Sequence, residues 1–484
     1  MEMQNPTHLL LVSSPGLGHL IPVIELGKRF ALHHNFKVTI LAVTSQTSRV
    51  ETQILNSVLT SSLCHIIDIP SPDLTALVAE NDAVFTRLCV TMREAKPAIR
   101  SILSEITPRP SALIVDVFST EAIQIARELK IMNYVFVASH AWMLALVLYS
   151  PVLDEVVEGQ YVDQKEPLKI PGCNPVRPED VFDPMLDRND RQYKEYLAIA
   201  NGILQSDGVL VNTWEELQRK DLEALNEGGL LSKELDMKIP VHGVGPIVRQ
   251  PELDTSSLTH SLMTWLDKQS SESVVYVSFG SGGTLSFEQM RELAWGLELS
   301  EQRFIWVVRA PIEGITDAAF FTTGNSQFDE MVKYLPEGFV SRIHKVGLLV
   351  PDWAQQVTIL GHRSIGGFLS HCGWGSTLES VTNGVPLLAW PLYAEQRMNA
   401  TLVAEELGVA VRPRVLPTKK VVRREEIAEM VRRVITENGI RERVKEVQHG
   451  AMKSLCVGGS SYAALSGVAK AIECSCQNVK CNKN

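Results

Sequence analysis

Three shortages narrow this chain before any motif is read. Positive charge is the first: 46 Lys and Arg stand against 56 Asp and Glu in 484 residues, a formal net charge of −10. Nucleic-acid binding draws its affinity from clustered Lys and Arg on phosphates, so it is not expected here. Adhesion to an anionic membrane surface is disfavoured for the same reason. Paired cysteine is the second shortage. The eight cysteines, at 64, 89, 173, 372, 456, 474, 476 and 481, form no C-x-x-C pair, and the terminal group has no histidine beside it. No metal site and no disulfide framework are expected, and the thiols read as those of a reducing compartment. Long apolar runs are the third. The start, Met-Glu-Met-Gln-Asn-Pro, is acidic and leads into only a short apolar run from Leu9, unlike a signal peptide. The run Ala141 to Leu148 is too short to span a bilayer. A soluble, cytoplasmic protein without membrane insertion is expected.

Two motifs are also missing. No G-x-S-x-G occurs, which speaks against a serine hydrolase of that design. Gly16-Leu17-Gly18 lacks a third glycine at Ile21, and the second strand ends without a ribose-binding acid, which speaks against a nicotinamide-dependent oxidoreductase.

What is present is a 45% hydrophobic chain arranged as alternating strands and helices. Leu9–Val12, Lys37–Val43, Ala112–Val115 and Tyr134–Val137 read as strands, with helices over Leu20–His33 and Thr120–Leu129. The pattern restarts with strands at Ser273–Ser278, Phe304–Val308, Ile365–Leu369 and Pro386–Ala389, and a helix over Ser286–Leu299. Short apolar strands alternating with amphipathic helices predict parallel sheets covered on both faces. The fold class expected is α/β, with two Rossmann-like βαβ domains facing across a cleft. The boundaries expected are 1–245 for the first domain, 246–258 for a linker and 259–455 for the second domain. A C-terminal helix over 456–474 packs back on the first domain, and 475–484 is an unstructured tail. The stretch from Ala310 to Leu335 reads as a surface insertion.

The segment from Trp353 to Gln396 carries the most chemistry. Phe368-Leu369-Ser370-His371-Cys372-Gly373-Trp374-Gly375-Ser376-Thr377-Leu378-Glu379 is an apolar strand, a Gly-rich turn and a helix start. Backbone N–H groups and the helix dipole at such a start receive an anion such as a diphosphate. His371 and Ser376 add side-chain donors. Ser376 with Glu379 also fits a capping box, and Trp353 also fits a core tryptophan. A second strand-to-helix turn, Gly280-Ser281-Gly282-Gly283, offers Ser281 to the phosphates from the other side.

This 44-residue arrangement resembles the donor-binding box of plant family-1 UDP-sugar glycosyltransferases, and over nearly the whole chain the likeness is to those acting on hydroquinone, monolignols and related phenols. The resemblance implies the GT-B fold, with an acceptor-binding first domain and a UDP-sugar-binding second one. It implies that Trp353 stacks on uracil, that Ala354 and Gln356 face the nucleoside, and that Glu379 holds the ribose hydroxyls. Trp374, Glu395 and Gln396 then line the sugar, with Gln396 the residue the family associates with glucose. The chain departs from the family pattern in having Gln355 for Pro and Gly375 for Asn. Loss of that Asn removes one donor near the α-phosphate, about 0.5–1.5 kcal/mol, so weaker UDP-sugar binding is expected.

A transferase also needs a base. His19, in Pro15-Gly16-Leu17-Gly18-His19, opens a helix after the first strand, and Asp116 ends another strand, so both belong at carboxyl ends of one sheet. A carboxylate behind an imidazole sets its tautomer and stabilises its charged form. Both residues match the family's catalytic dyad. Phe118 and Trp142 are candidate walls of an acceptor pocket. The expected activity is an inverting, metal-independent glucosyl transfer from UDP-glucose to a small phenolic hydroxyl. UDP-glucose serves as co-substrate, there is no cofactor, and the enzyme acts as a monomer. A non-phenolic acceptor such as a terpenoid, or UDP-sugar binding without catalysis, stays open at this stage.

Overall fold

The computed structural model describes residues 6–45, 47–59, 63–79, 81–251, 257–323 and 328–481. It divides into two units: Met1–Gln46, Glu51–Val248 and Ala451–Asn484 form the first, and Thr47–Val50 with Arg249–Gly450 the second.

The first unit is built on seven strands: β1 (His8–Ser13), β2 (Lys37–Thr44), β3 (Cys64–Pro70), β4 (Ala112–Asp116), β5 (Met132–Val137), β6 (Val209–Val211) and β7 (Val241–Gly243). Their order across the sheet is β3-β2-β1-β4-β5-β6-β7, with every neighbouring pair parallel. Leu9, Leu10, Leu11, Leu113 and Val115 are wholly buried, as a sheet covered on both faces requires. The second unit repeats the plan with β8 (Val274–Ser278), β9 (Arg303–Val308), β10 (Gly347–Pro351), β11 (Ile365–Ser370), β12 (Leu387–Ala389) and β13 (Ala410–Val411). Their order is β10-β9-β8-β11-β12-β13, again parallel. Its core gathers Trp306, Trp390, Phe304, Phe339 and Leu369.

In each sheet the winding reverses once, between β1 and β4 and between β8 and β11. Chains leaving those strands diverge to opposite sides, which opens a crevice beyond the carboxyl ends. Both candidate sites lie there.

Four helices matter below: α1 (Leu17–His34), α2 (Trp374–Thr382), α3 (Gln396–Thr401) and α4 (Ser460–Cys481). α4 belongs to the first unit, where the Ser461 hydroxyl donates to the Gly245 carbonyl and Val468, Ala469 and Ile472 are buried. It runs through Cys481, so most of the stretch expected as an unstructured tail from residue 475 is helical. Residues 482–484 lie outside the described residues. His242 and Gly243 pair in β7, whose edge position beside β6 needs only three residues. Residues 252–256 of the expected linker and 324–327 of the expected insertion are outside the described residues. The rest of that insertion is tied to the turn after β8: Thr284 N–H donates to Thr316, and Thr323 Oγ1 donates to the Ser281 carbonyl at 2.7 Å. Among the described residues no helix is long and apolar enough to cross a membrane.

Candidate active site

β1 runs into Ser13-Ser14-Pro15-Gly16, and Gly16 has φ 99°, a conformation open to glycine. The buried Glu51 carboxylate accepts the Gly16 N–H at 3.2 Å, and its other oxygen accepts the Ser45 N–H at 3.0 Å and hydroxyl at 2.6 Å. The turns after β1 and β2 are thereby fastened together, and α1 starts with His19 in its first turn.

Val12 stands opposite Val115 in the β1–β4 pair, which delivers Asp116 to the same crevice. Asp116 is almost wholly buried. Its Oδ2 accepts the Ser14 N–H at 2.9 Å and the Ser14 hydroxyl, and its Oδ1 accepts the Ser119 hydroxyl at 2.5 Å. His19 Nδ1 lies 3.8 Å from Asp116 Oδ2, too far for a hydrogen bond, and has no hydrogen-bond partner among the described residues. The serines, not the histidine, therefore fix the carboxylate, whose charge is felt by the imidazole once it takes up a proton. The His19 side chain is 20% exposed while Nδ1 is buried, so the open part of the ring is the edge away from Asp116. Burial pushes its pKa below the ordinary histidine value, and the Asp116 charge opposes that in part. The imidazole is thus neutral at neutral pH, the form a base requires.

Aromatic rings continue from this point. Phe118 meets the His19 ring edge-on at 5.0 Å, Phe85 meets Phe118 at 5.1 Å, and Phe182 lies 5.7 Å from Phe85 and 5.5 Å from Tyr196. Phe118, expected as a wall of the acceptor pocket, thus packs on the His19 ring. Trp142 belongs to the core, with its indole N–H donating to the Asn174 carbonyl at 2.8 Å. Phe85, Phe182 and Tyr196 carry no signal in the sequence, because they come from separate segments that only the fold gathers.

In the second unit, Ser370 of β11 stands opposite Ser278 of β8, so the turns that follow meet. His371 lies between them, buried. A Cβ on Gly280 would fall 2.3 Å from the His371 ring, and one on Gly373 would fall 2.5 Å from its Nε2. The two glycines therefore form a slot one imidazole wide. His371 Nδ1 is buried without a hydrogen-bond partner among the described residues. Burial first, and the Arg309 charge second, lower its pKa to about 3. It is a neutral ring able to donate from one nitrogen.

α2 begins at Trp374, with Gly373 as its N-cap and no side-chain cap. This corrects the capping-box reading of Ser376 and Glu379, since Ser376 sits in the first turn and not at the cap. Gln356 Nε2 instead donates to Ser376 Oγ at 2.9 Å and to Glu379 Oε2 at 2.7 Å, which joins three of the expected donor residues. A glycine cap leaves the helix start open to an anion. Gly375 has nothing within 4 Å of where a Cβ would stand.

Trp353 is half-buried, next to the buried Ala354. It follows Asp352, whose φ of 56° is held by an ion pair to Arg309 at 2.9 Å. Arg309 also donates to the carbonyls of Asp352 at 2.8 Å and Gly283 at 3.2 Å. This one side chain, missed in the sequence, ties the turn before Trp353 to the turn carrying Ser281. Gln396 is buried, and its Oε1 accepts the N–H groups of Leu392 at 2.9 Å and Tyr393 at 3.0 Å. Glu395 is half-buried just ahead of α3, and Trp374 is buried at the start of α2.

Comparison with known proteins places this arrangement. Residues 230–448 match the family model described as UDP-glucoronosyl and UDP-glucosyl transferase. The chain is 54% identical over 470 residues to anthocyanidin 3-O-glucosyltransferase 5 of Manihot esculenta, covering 96% of each chain. It is 40% identical over 474 residues to the hydroquinone glucosyltransferase of Rauvolfia serpentina, covering 96% of this chain and 98% of that one. The crystal structure of TcCGT1 in complex with UDP superposes with a TM-score of 0.90 at 46% identity, covering 97% of this chain and 100% of that one. The chain belongs to the plant family-1 UDP-glycosyltransferases.

Proposed function

We propose that this enzyme transfers glucose from UDP-glucose to the hydroxyl of a small phenolic acceptor, inverting the anomeric carbon to give a β-glucoside. The observation that carries the reading is a neutral, partly open His19 beside Asp116 and a run of aromatic rings. A phenol, with a pKa near that of tyrosine at about 10, needs a base to become a nucleophile at neutral pH. The outward edge of His19 takes the phenolic proton. The oxygen attacks C1 of the sugar from the face opposite the diphosphate, the C1–oxygen bond to the diphosphate breaks, and UDP leaves with the electron pair. The imidazolium formed is stabilised by Asp116. General-base help of this kind is worth about 10²–10⁴-fold.

On the donor side, His371 donates to a phosphate oxygen and the open start of α2 takes up the charge that develops on UDP. With those groups supplying the stabilisation, the mechanism calls on neither a metal nor a cofactor. Trp353 stacks on uracil, Glu379 and Gln356 hold the nucleoside, and Trp374, Glu395 and Gln396 surround the glucose, with Ser281 and Ser376 on the phosphates. Phe118, Phe85 and Phe182 offer flat apolar faces suited to an aromatic acceptor. The names of the two relatives above point the same way, toward anthocyanidin and hydroquinone. The enzyme acts as a cytosolic monomer whose partners are its two substrates.

Incubation with UDP-glucose and a panel of phenols and terpenoid alcohols, with released UDP measured and products identified by mass spectrometry, tests the reading. UDP release with phenols and β-glucoside products is expected. Release only with terpenoid alcohols would overturn the acceptor class, and α-linked product would overturn inversion.

A further inference from the structure

Asn399 is wholly buried on α3 and links the turn after β11 to the start of α3. Its Nδ2 donates to the Cys372 carbonyl at 2.7 Å and to Glu395 Oε1 at 3.2 Å. Both neighbours are acceptors, so only the nitrogen end of the amide can face them. Cys372, at φ 65°, is the residue that turns β11 toward α2, between His371 and Gly373. Glu395 lies one helical turn before Asn399. The other end of the amide, Oδ1, is buried with no hydrogen-bond partner among the described residues. Leaving an acceptor unsatisfied carries a cost that an apolar side chain of the same size would avoid. The polar group therefore stands there for what its nitrogen holds.

We propose that Asn399 is a positioning residue that fixes the Glu395 carboxylate at a set place relative to the phosphate-binding turn, so that the sugar and the diphosphate are held in one geometry. The proposal rests on the reading of Glu395 as the carboxylate that meets glucose hydroxyls. A half-buried glutamate without such a tether loses rotamer freedom each time a sugar binds. With the tether that loss is met on folding, and the hydroxyls find a carboxylate already placed. Gln396 is placed differently, by two backbone N–H groups of its own turn, so the two adjacent sugar-reading residues have independent supports.

The test is a double-mutant cycle on Asn399→Ala and Glu395→Ala, reading the KM for UDP-glucose against the dissociation constant of UDP, which lacks the sugar. Each single variant is expected to raise the ratio of the two by about tenfold, the order expected for a hydrogen bond to a charged group. The double variant should raise it no further than Glu395→Ala alone, because both changes remove one interaction. Additive effects, or an unchanged ratio in Asn399→Ala, would overturn the proposal while leaving the Glu395 assignment standing. An unchanged ratio in Glu395→Ala would overturn that assignment and the proposal with it. If Asn399→Ala does not fold, Asn399→Asp keeps the volume and sets a second carboxylate against Glu395. Its effect on UDP-glucose should shrink in a Glu395→Gln background, and an equal effect in both backgrounds would count against the tether.

Discussion

His19 and His371 make an informative pair. Each follows a strand at the reversal point of a parallel sheet, and each has a pKa lowered chiefly by burial. Their other surroundings differ in sign. His19 has a carboxylate 3.8 Å away and one open edge, so a proton taken up from a substrate meets a negative charge. His371 lies between two glycines with the Arg309 charge lowering its pKa further, so it has no means of keeping a second proton. The same side chain is therefore set up as a base in one unit and as a fixed hydrogen-bond donor in the other. The neighbours decide the role, and substitutions of those neighbours are the way to break the distinction.

The largest expected effect comes from Asp116→Asn. Loss of the charge that stabilises the imidazolium should lower turnover by about 10²-fold or more. Asp116 raises the His19 pKa, so its removal should also move the acid limb of the pH–rate profile to lower pH. A limb that stays in place, read from kcat/KM between pH 4 and 8, would separate the two residues. Next is Gly280→Ala. Its Cβ would fall 2.3 Å from the His371 ring, at a backbone φ of 70° that costs a non-glycine residue about 1–3 kcal/mol. UDP affinity by calorimetry should fall about tenfold or more, with turnover at saturating donor less affected. The smallest effect is expected of Gly375→Asn. Its Cβ has open space, and the side chain restores a donor worth about 0.5–1.5 kcal/mol, so UDP-glucose should bind up to about tenfold tighter. Unchanged or poorer binding would show that the lost asparagine is not what sets donor affinity.

How much of this could be read from the chain follows from what is contiguous. Strands such as Leu9–Val12 and Phe304–Val308 announce themselves because both faces are buried and every residue is apolar. β3 was not legible, because at the sheet edge it alternates buried and exposed residues, with His65 and Asp68 in its run. β6, β7 and β13 are too short to set a pattern. The donor box was legible because His371, Trp374, Ser376 and Glu379 lie in one turn and the helix that follows it. The supports of both histidines were not. Ser14 lies in the His19 turn itself, but its partner Asp116 with Ser119, and Glu51, reach that turn, and Arg309 and Asn399 the donor turns, from segments that only the fold brings together. The Ser376–Glu379 spacing misled as a cap, since a glycine cap has no side chain to reveal it.

The central claim, that His19 performs chemistry and does not hold the donor, is tested most directly by the turnover of His19→Ala at saturating UDP-glucose, with the UDP dissociation constant from the same preparation. The account predicts turnover lower by about 10²–10⁴-fold and UDP binding nearly unchanged. Near-normal turnover, or a loss of UDP affinity that matches the loss of rate, would contradict it.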